Sequence, residues 1–213
     1  MKQTLLKTLI AAAVITISVS SCKKETESPD SGLSLKHTTK AVVPGMVTSA
    51  LFTSIWGNPY NAASYGTLSY DLIANVPGTS GEALFSGQVN NTLSAGLGYT
   101  LHYIYNPALT LSAITLSDVA PTVNNYTTVA SIGMNTSTGS VPNGWFNYAS
   151  PSPVPVSGFF AILEDGTDTY VIQLTGFPNA ASRAATTDQN GDGVINARDI
   201  EVKSDVNFSY KLL

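Results

Sequence analysis

The densest run of metal-type oxygen donors lies near the carboxyl end, where Asp188, Asn190, Asp192, Asn196 and Asp199 occupy positions 1, 3, 5, 9 and 12 of a twelve-residue segment. Side chains at alternate positions of a tight loop converge on one point. Gly193, at position 6, permits the sharp turn, and Val194 offers its backbone carbonyl. Hard oxygen donors without Cys or His suit calcium and exclude a zinc or copper site in this loop. Asn196 is expected to act through a water, Asp199 to close the far side of the shell, and the apolar Ile195 to pin the loop to a core. A dissociation constant of ~10⁻⁶ to 10⁻³ M is expected of such a donor set. An ion held at that strength braces a structure rather than signals.

Other chemistry-bearing residues are sparse, since the chain has 2 His and 1 Cys. His102, within Tyr99-Thr100-Leu101-His102-Tyr103, reads most simply as a strand residue, and Met134, ahead of Asn135-Thr136-Ser137, as a core or loop residue. The third soft candidate, His37, falls in a polar stretch. Trp56, Trp145 and Tyr148 are able to stack on a sugar or another flat ligand, although core burial is the simpler expectation for large aromatics. Glu164, Asp165 and Asp168 cluster where a solvated turn belongs. There is no nucleophile elbow, no phosphate-binding Gly loop and no zinc signature, so a binding or structural role is expected rather than an enzyme.

The elements that must position these residues are strands. Only 11 % of the residues are charged, while 17 Gly and 11 Pro punctuate short runs rich in Val, Ile, Thr, Tyr and Phe. Runs spaced by about ten residues predict an all-β domain, an antiparallel sandwich or partly open barrel, over residues 41–213. Strands are expected over Tyr65–Ala74, Glu82–Val89, Tyr99–Tyr105 and Thr127–Gly133. Phe159–Leu163 and Thr169–Leu174 flank an Asp165-Gly166 reversal and predict a β-hairpin. Val206, Phe208, Tyr210 and Leu212 alternate with polar residues as a closing strand does. The calcium loop, 188–199, precedes that strand, with at most one helical turn over Ile200–Lys203. Ser150-Pro151-Ser152-Pro153-Val154-Pro155 reads as a surface connection.

Residues 1–21 carry Lys2 and Lys7, an apolar run from Leu9 to Ile17, and a small-residue exit, Val19-Ser20-Ser21, before Cys22. The run is too short for a bilayer core of ~30 Å and reads as a signal peptide. An exported domain with one Cys cannot form an internal disulfide. Val-Ser-Ser-Cys resembles a bacterial lipobox, which implies cleavage before Cys22 and a lipid-bearing thiol that anchors the chain at the membrane. Residues 22–40 form a polar tether, and its Lys23-Lys24-Glu25-Thr26-Glu27 start looks like the export signals of surface lipoproteins of Bacteroidota. The formal charge is −4, and between Lys40 and Arg183 there is no Lys or Arg. That stretch cannot build a nucleic-acid surface.

Two further resemblances follow. The run Asp-Gln-Asn-Gly-Asp-Gly-Val-Ile-Asn-Ala-Arg-Asp is similar to an EF-hand loop of the dockerin type, although a dockerin needs two such loops with helices and this chain has one. Leu116-Ser117-Asp118-Val119-Ala120-Pro121, Asn143-Gly144-Trp145-Phe146-Asn147-Tyr148 and the hairpin from Phe159 to Leu174 resemble the HmuY-like family of Bacteroidota outer-membrane lipoproteins. That resemblance implies an all-β fold capturing haem or another small ligand. The segment after Trp145-Phe146-Asn147-Tyr148, where such proteins tend to place an axial ligand, holds no His or Met here, which leaves His102 and Met134 as haem-ligand candidates. Haem propionates favour Arg or Lys partners, which residues 41–182 lack. The alternative is a structural, glycan-contacting or protein-contacting surface module without haem.

Overall fold

The computed structural model describes residues 42–148 and 153–213. Cys22, the leader, the tether with His37, and residues 149–152 lie outside them. From the amino end, β1 (Val47–Thr53) is followed by β2 (Leu68–Asp71), β3 (Val76–Gly78), β4 (Ala83–Ser86), β5 (Thr92–Ala95) and β6 (Thr100–Tyr105). The short β7 (Thr127–Thr128), β8 (Ser131–Ile132), β9 (Phe146–Asn147) and β10 (Val154–Pro155) precede β11 (Phe159–Glu164) and β12 (Thr169–Gly176). β13 (Ala181–Ala184), β14 (Ile200–Lys203) and β15 (Asp205–Leu212) complete the described strands.

The strands form an open antiparallel sandwich without barrel closure. One sheet runs β1-β15-β12-β11-β6-β7 and the other β3-β2-β4-β5-β8, while β9 pairs with β10 and β13 with β14. Phe52, Ile172, Phe208 and Tyr210 of the first sheet meet Tyr70, Phe85, Leu93 and Ile132 of the second in one core. Burying such side chains contributes about 1.5–3 kcal/mol each. Trp145 lies in this core, 1 % exposed, stacked on Phe85 and donating Nε1–H to the Asn91 carbonyl at 2.8 Å.

The six-stranded sheet is buried on both faces. Ile104, Phe160, Ile162 and Val171 on its outer face pack against Leu111, Ile114 and Val119 from the β6–β7 connection. Covering both faces explains why Phe159 to Leu163 reads as an unbroken apolar run rather than an alternation. It also buries Lys211, expected on a polar face: its Nζ donates to the carbonyls of Ser112 at 3.0 Å and Ile114 at 2.7 Å. At the β11–β12 reversal Gly166 has φ +90°, and Asp165 Oδ1 accepts the amides of Thr167 and Asp168 at 2.8 Å each.

Several expected strands are broken differently. Tyr65 closes a 3-10 turn, Ala62–Tyr65, and the strand begins only at Leu68. Thr127–Gly133 is not one strand, because β7 pairs with β6 while β8 pairs with β5 in the facing sheet. Ile200–Lys203 is a strand in register with Ala181–Ala184, not a helical turn. The calcium-type loop is therefore the tip of a two-stranded ribbon. Among the described residues no helix is long and apolar enough to cross a membrane.

Candidate functional site

The ribbon of β13 and β14 is held by residues 54–58. Gly57 N–H donates to the Val202 carbonyl at 3.1 Å and Val202 N–H returns to Gly57 O at 2.8 Å. Asn58, fully buried, donates Nδ2–H to the Arg198 carbonyl at 3.0 Å. Cross-strand pairing puts Arg183, Glu201 and Lys203 on one ribbon face. That face covers Trp56, with the Arg183 guanidinium 4.4 Å and the Lys203 ammonium 4.8 Å from the ring centroid. Arg183 also donates Nε–H to the Glu201 carboxylate.

At the ribbon tip the loop folds around its own amides. Asp188 Oδ1 accepts from Gly191 N at 2.8 Å and its Oδ2 from Gly193 N at 2.7 Å. Gly193 has φ +86°, the sharp turn its position requires. Asp199, 1 % exposed, accepts the amides of Gln189 and Asn196 at 2.7 Å each. The Asn196 amide, followed by those of Gln189 and Asn190, holds its carboxyl below the ordinary carboxylate value. Asp192 is lowered as well, chiefly by the Val194 amide and then by the Asn196 side chain.

Four of the six expected donors gather at one point. Asp192 Oδ2 lies 3.1 Å from the Asn190 amide nitrogen and 2.9 Å from that of Asn196, which is itself 3.0 Å from the Val194 carbonyl. A half-turn of either amide exchanges its nitrogen for its oxygen, so the pair of Asn side chains, the carboxylate and the carbonyl fit a hard cation. Asp188 and Asp199 are instead turned onto loop amides. Among the described residues no three His, Cys, Asp or Glu side chains converge as a metal cluster. One expectation is corrected: Ile195 does not pin the loop, because it is 60 % exposed beside Val194 at 61 %. Neither residue belongs to either core cluster of the described residues.

Beside the ribbon lies a groove of about 350 Å³. Val202, Lys203 and Ser204 of the ribbon side line it together with Phe146, Tyr148, Phe177, Met134, Gln88, Val89 and Thr92. Tyr148 is 73 % and Met134 48 % exposed, whereas Phe146 is buried and meets Phe177 edge to face. Val89 adopts φ +49°, ψ +28°, a left-handed conformation unfavourable for a β-branched side chain. The neighbouring Asn90 is firmly held. Fully buried, Asn90 accepts from Ile55 N at 3.2 Å and donates to the carbonyls of Gly66 at 3.2 Å and Phe85 at 3.1 Å. Strain of this kind costs about 1–3 kcal/mol and persists where surroundings enforce it, commonly at binding sites.

The two haem-ligand candidates are not brought together. Met134 lines the groove and is bridged to Phe146. His102 sits in the six-stranded sheet, where Nδ1 is 2.8 Å from Thr128 Oγ1 and Nε2 3.1 Å from Glu164 Oε1, with Tyr126 stacked on its ring. Burial holds His102 below its ordinary pKa of 6.5, and Glu164 pulls in the opposite direction. With both nitrogens facing protein partners, His102 is a packing residue. The groove thus offers one thioether, no imidazole and one cation, which does not fit haem held through axial His or paired propionate contacts.

Sequence reading did not single out Val89, Asn90 or the Trp56 clamp. A Gly-Gln-Val-Asn-Asn turn is visible, but nothing in it marks a strained Val. No family model, curated protein or solved structure matches the chain.

Proposed function

We propose that the mature chain is a non-enzymatic outer-membrane lipoprotein, tethered through Cys22, whose all-β domain captures a small flat ligand in the groove between Tyr148, Met134 and the ribbon. The observation that carries this reading is the groove itself: separate segments build it, two of its apolar side chains stand open to solvent, and a strained Val89 is fixed in its wall. The resemblance to HmuY-like lipoproteins agrees in kind with capture. The lining argues for a ligand other than haem.

Calcium has a supporting place in this reading. Asn190, Asp192, Asn196 and the Val194 carbonyl would hold it, Asp188 and Asp199 would join them through oxygens that also accept loop amides, and its charge would brace the loop that joins β13 to β14. At tenfold saturation the ion contributes about 1.4 kcal/mol. Thermal unfolding of the mature chain in excess calcium is expected to exceed that in chelator by about 3 °C. Asp188→Ala abolishes the difference. A melting temperature blind to calcium removes the ion from the account.

Capture is tested with a neutral flat probe, phenylnaphthylamine, followed by its fluorescence. Saturable binding to the mature chain, weakened by Tyr148→Ser combined with Met134→Gln, is expected. A parallel haem titration should give no Soret shift that depends on Met134 or His102. Absence of probe binding, or binding indifferent to the paired substitution, overturns the groove as the capture site.

A further inference from the structure

The groove has an electrostatic character distinct from that of the chain. The sequence is acidic, with 14 Asp and Glu against 10 Lys and Arg. Yet the described groove lining contains no carboxylate, and its one formal charge is Lys203. Of the four basic residues beyond Lys40, Lys211 is committed to the Ser112 and Ile114 carbonyls. Arg183 is paired with Glu201 and is not part of the lining, so Lys203, whose ammonium also lies over Trp56, is the cation that the groove offers. The same lining includes Tyr148, Phe177 and the adaptable thioether of Met134.

We infer that the groove takes a planar aromatic acid, its ring system against Tyr148, Phe177 and Met134 and its anionic group at Lys203. The inference rests on the capture reading and adds the ligand class to it. A cationic ligand would meet Lys203 without a carboxylate in the lining to offset the repulsion. A neutral ring system would make no charge contact with the ammonium beyond the one it already has with Trp56. An acid uses both the aromatic lining and Lys203, with Gln88, Thr92 and Ser204 of the same lining available for hydrogen bonds. The volume of about 350 Å³ suits a ligand of two or three rings.

Two probes that share a ring system separate the charge from the shape: anilinonaphthalene sulfonate, which is anionic, and phenylnaphthylamine, which lacks the sulfonate. On the mature chain the sulfonate should bind more tightly. Lys203→Gln should weaken the sulfonate by roughly fivefold, the worth of one partly exposed charge contact, and weaken the neutral probe far less, since only the sulfonate loses a charge partner. Lys203→Arg should restore most of the sulfonate affinity, which a merely structural role beside Trp56 would not separate by probe charge. Equal affinity for the two probes, or a sulfonate affinity unmoved by Lys203→Gln, overturns the acid assignment and leaves capture standing. If neither probe binds, or both ignore Tyr148→Ser with Met134→Gln, the capture reading fails and this inference fails with it.

Discussion

Val89 and Asn90 set a single strained residue beside a firmly held neighbour. The Asn90 side chain is bonded to the backbone of Ile55, Gly66 and Phe85, and Val89 beside it stands at positive φ. Asn tolerates that region far better than a β-branched side chain. Val89→Asn is therefore expected to stabilise the domain by about 1 kcal/mol, read as a raised urea midpoint at unchanged slope. It should also remove an apolar wall from the groove, so the neutral probe binds more weakly to the more stable protein. A variant that is less stable would show that packing of the Val89 methyls outweighs the backbone strain.

The ribbon of β13 and β14 is the element on which the loop and the groove both depend. It pairs with residues 54–58 rather than lying within either principal sheet, and Gly57 is its hinge to the sandwich. A Cβ added at Gly57 would lie 2.6 Å from ring carbons of Tyr65, which is fully buried. Gly57→Ala is expected to cost about 1–3 kcal/mol through overpacking, measured by denaturant unfolding. Because Val202 is bonded to Gly57 and lines the groove, probe binding should weaken in the same variant.

Across the whole molecule, the two-sided burial of the six-stranded sheet sets how stability responds to acid. His102, Tyr126, Thr128 and Glu164 tie β6, β7 and β11 together on the outer face. Folding lowers the His102 pKa from its ordinary 6.5, so between that value and the lowered one the unfolded chain binds the extra proton. This contribution is fully present above the ordinary value and is lost as pH falls through the window. The melting temperature should drop below about pH 6.5 more steeply in the parent than in His102→Gln. Identical pH profiles would show that His102 takes up its proton as readily in the folded chain as in the unfolded one, so that its surroundings do not lower its pKa.

By itself the sequence determined the class of structure and the local turns. Alternation in β15, the Asp165-Gly166 reversal and the spacing of Asp188 to Asp199 are local patterns, each readable because backbone geometry over a few residues dictates it. Only the tertiary structure decided which strands share a sheet, and hence that Thr127–Gly133 divides between two sheets and that Lys211 is buried beneath the β6–β7 connection. It likewise decided that Ile195 points to solvent, that both nitrogens of His102 face protein groups, and that residues as distant as Val89, Met134, Tyr148 and Lys203 line one groove. Contacts between distant segments leave no periodicity in the chain, because they follow from how whole faces pack and not from the residues on either side.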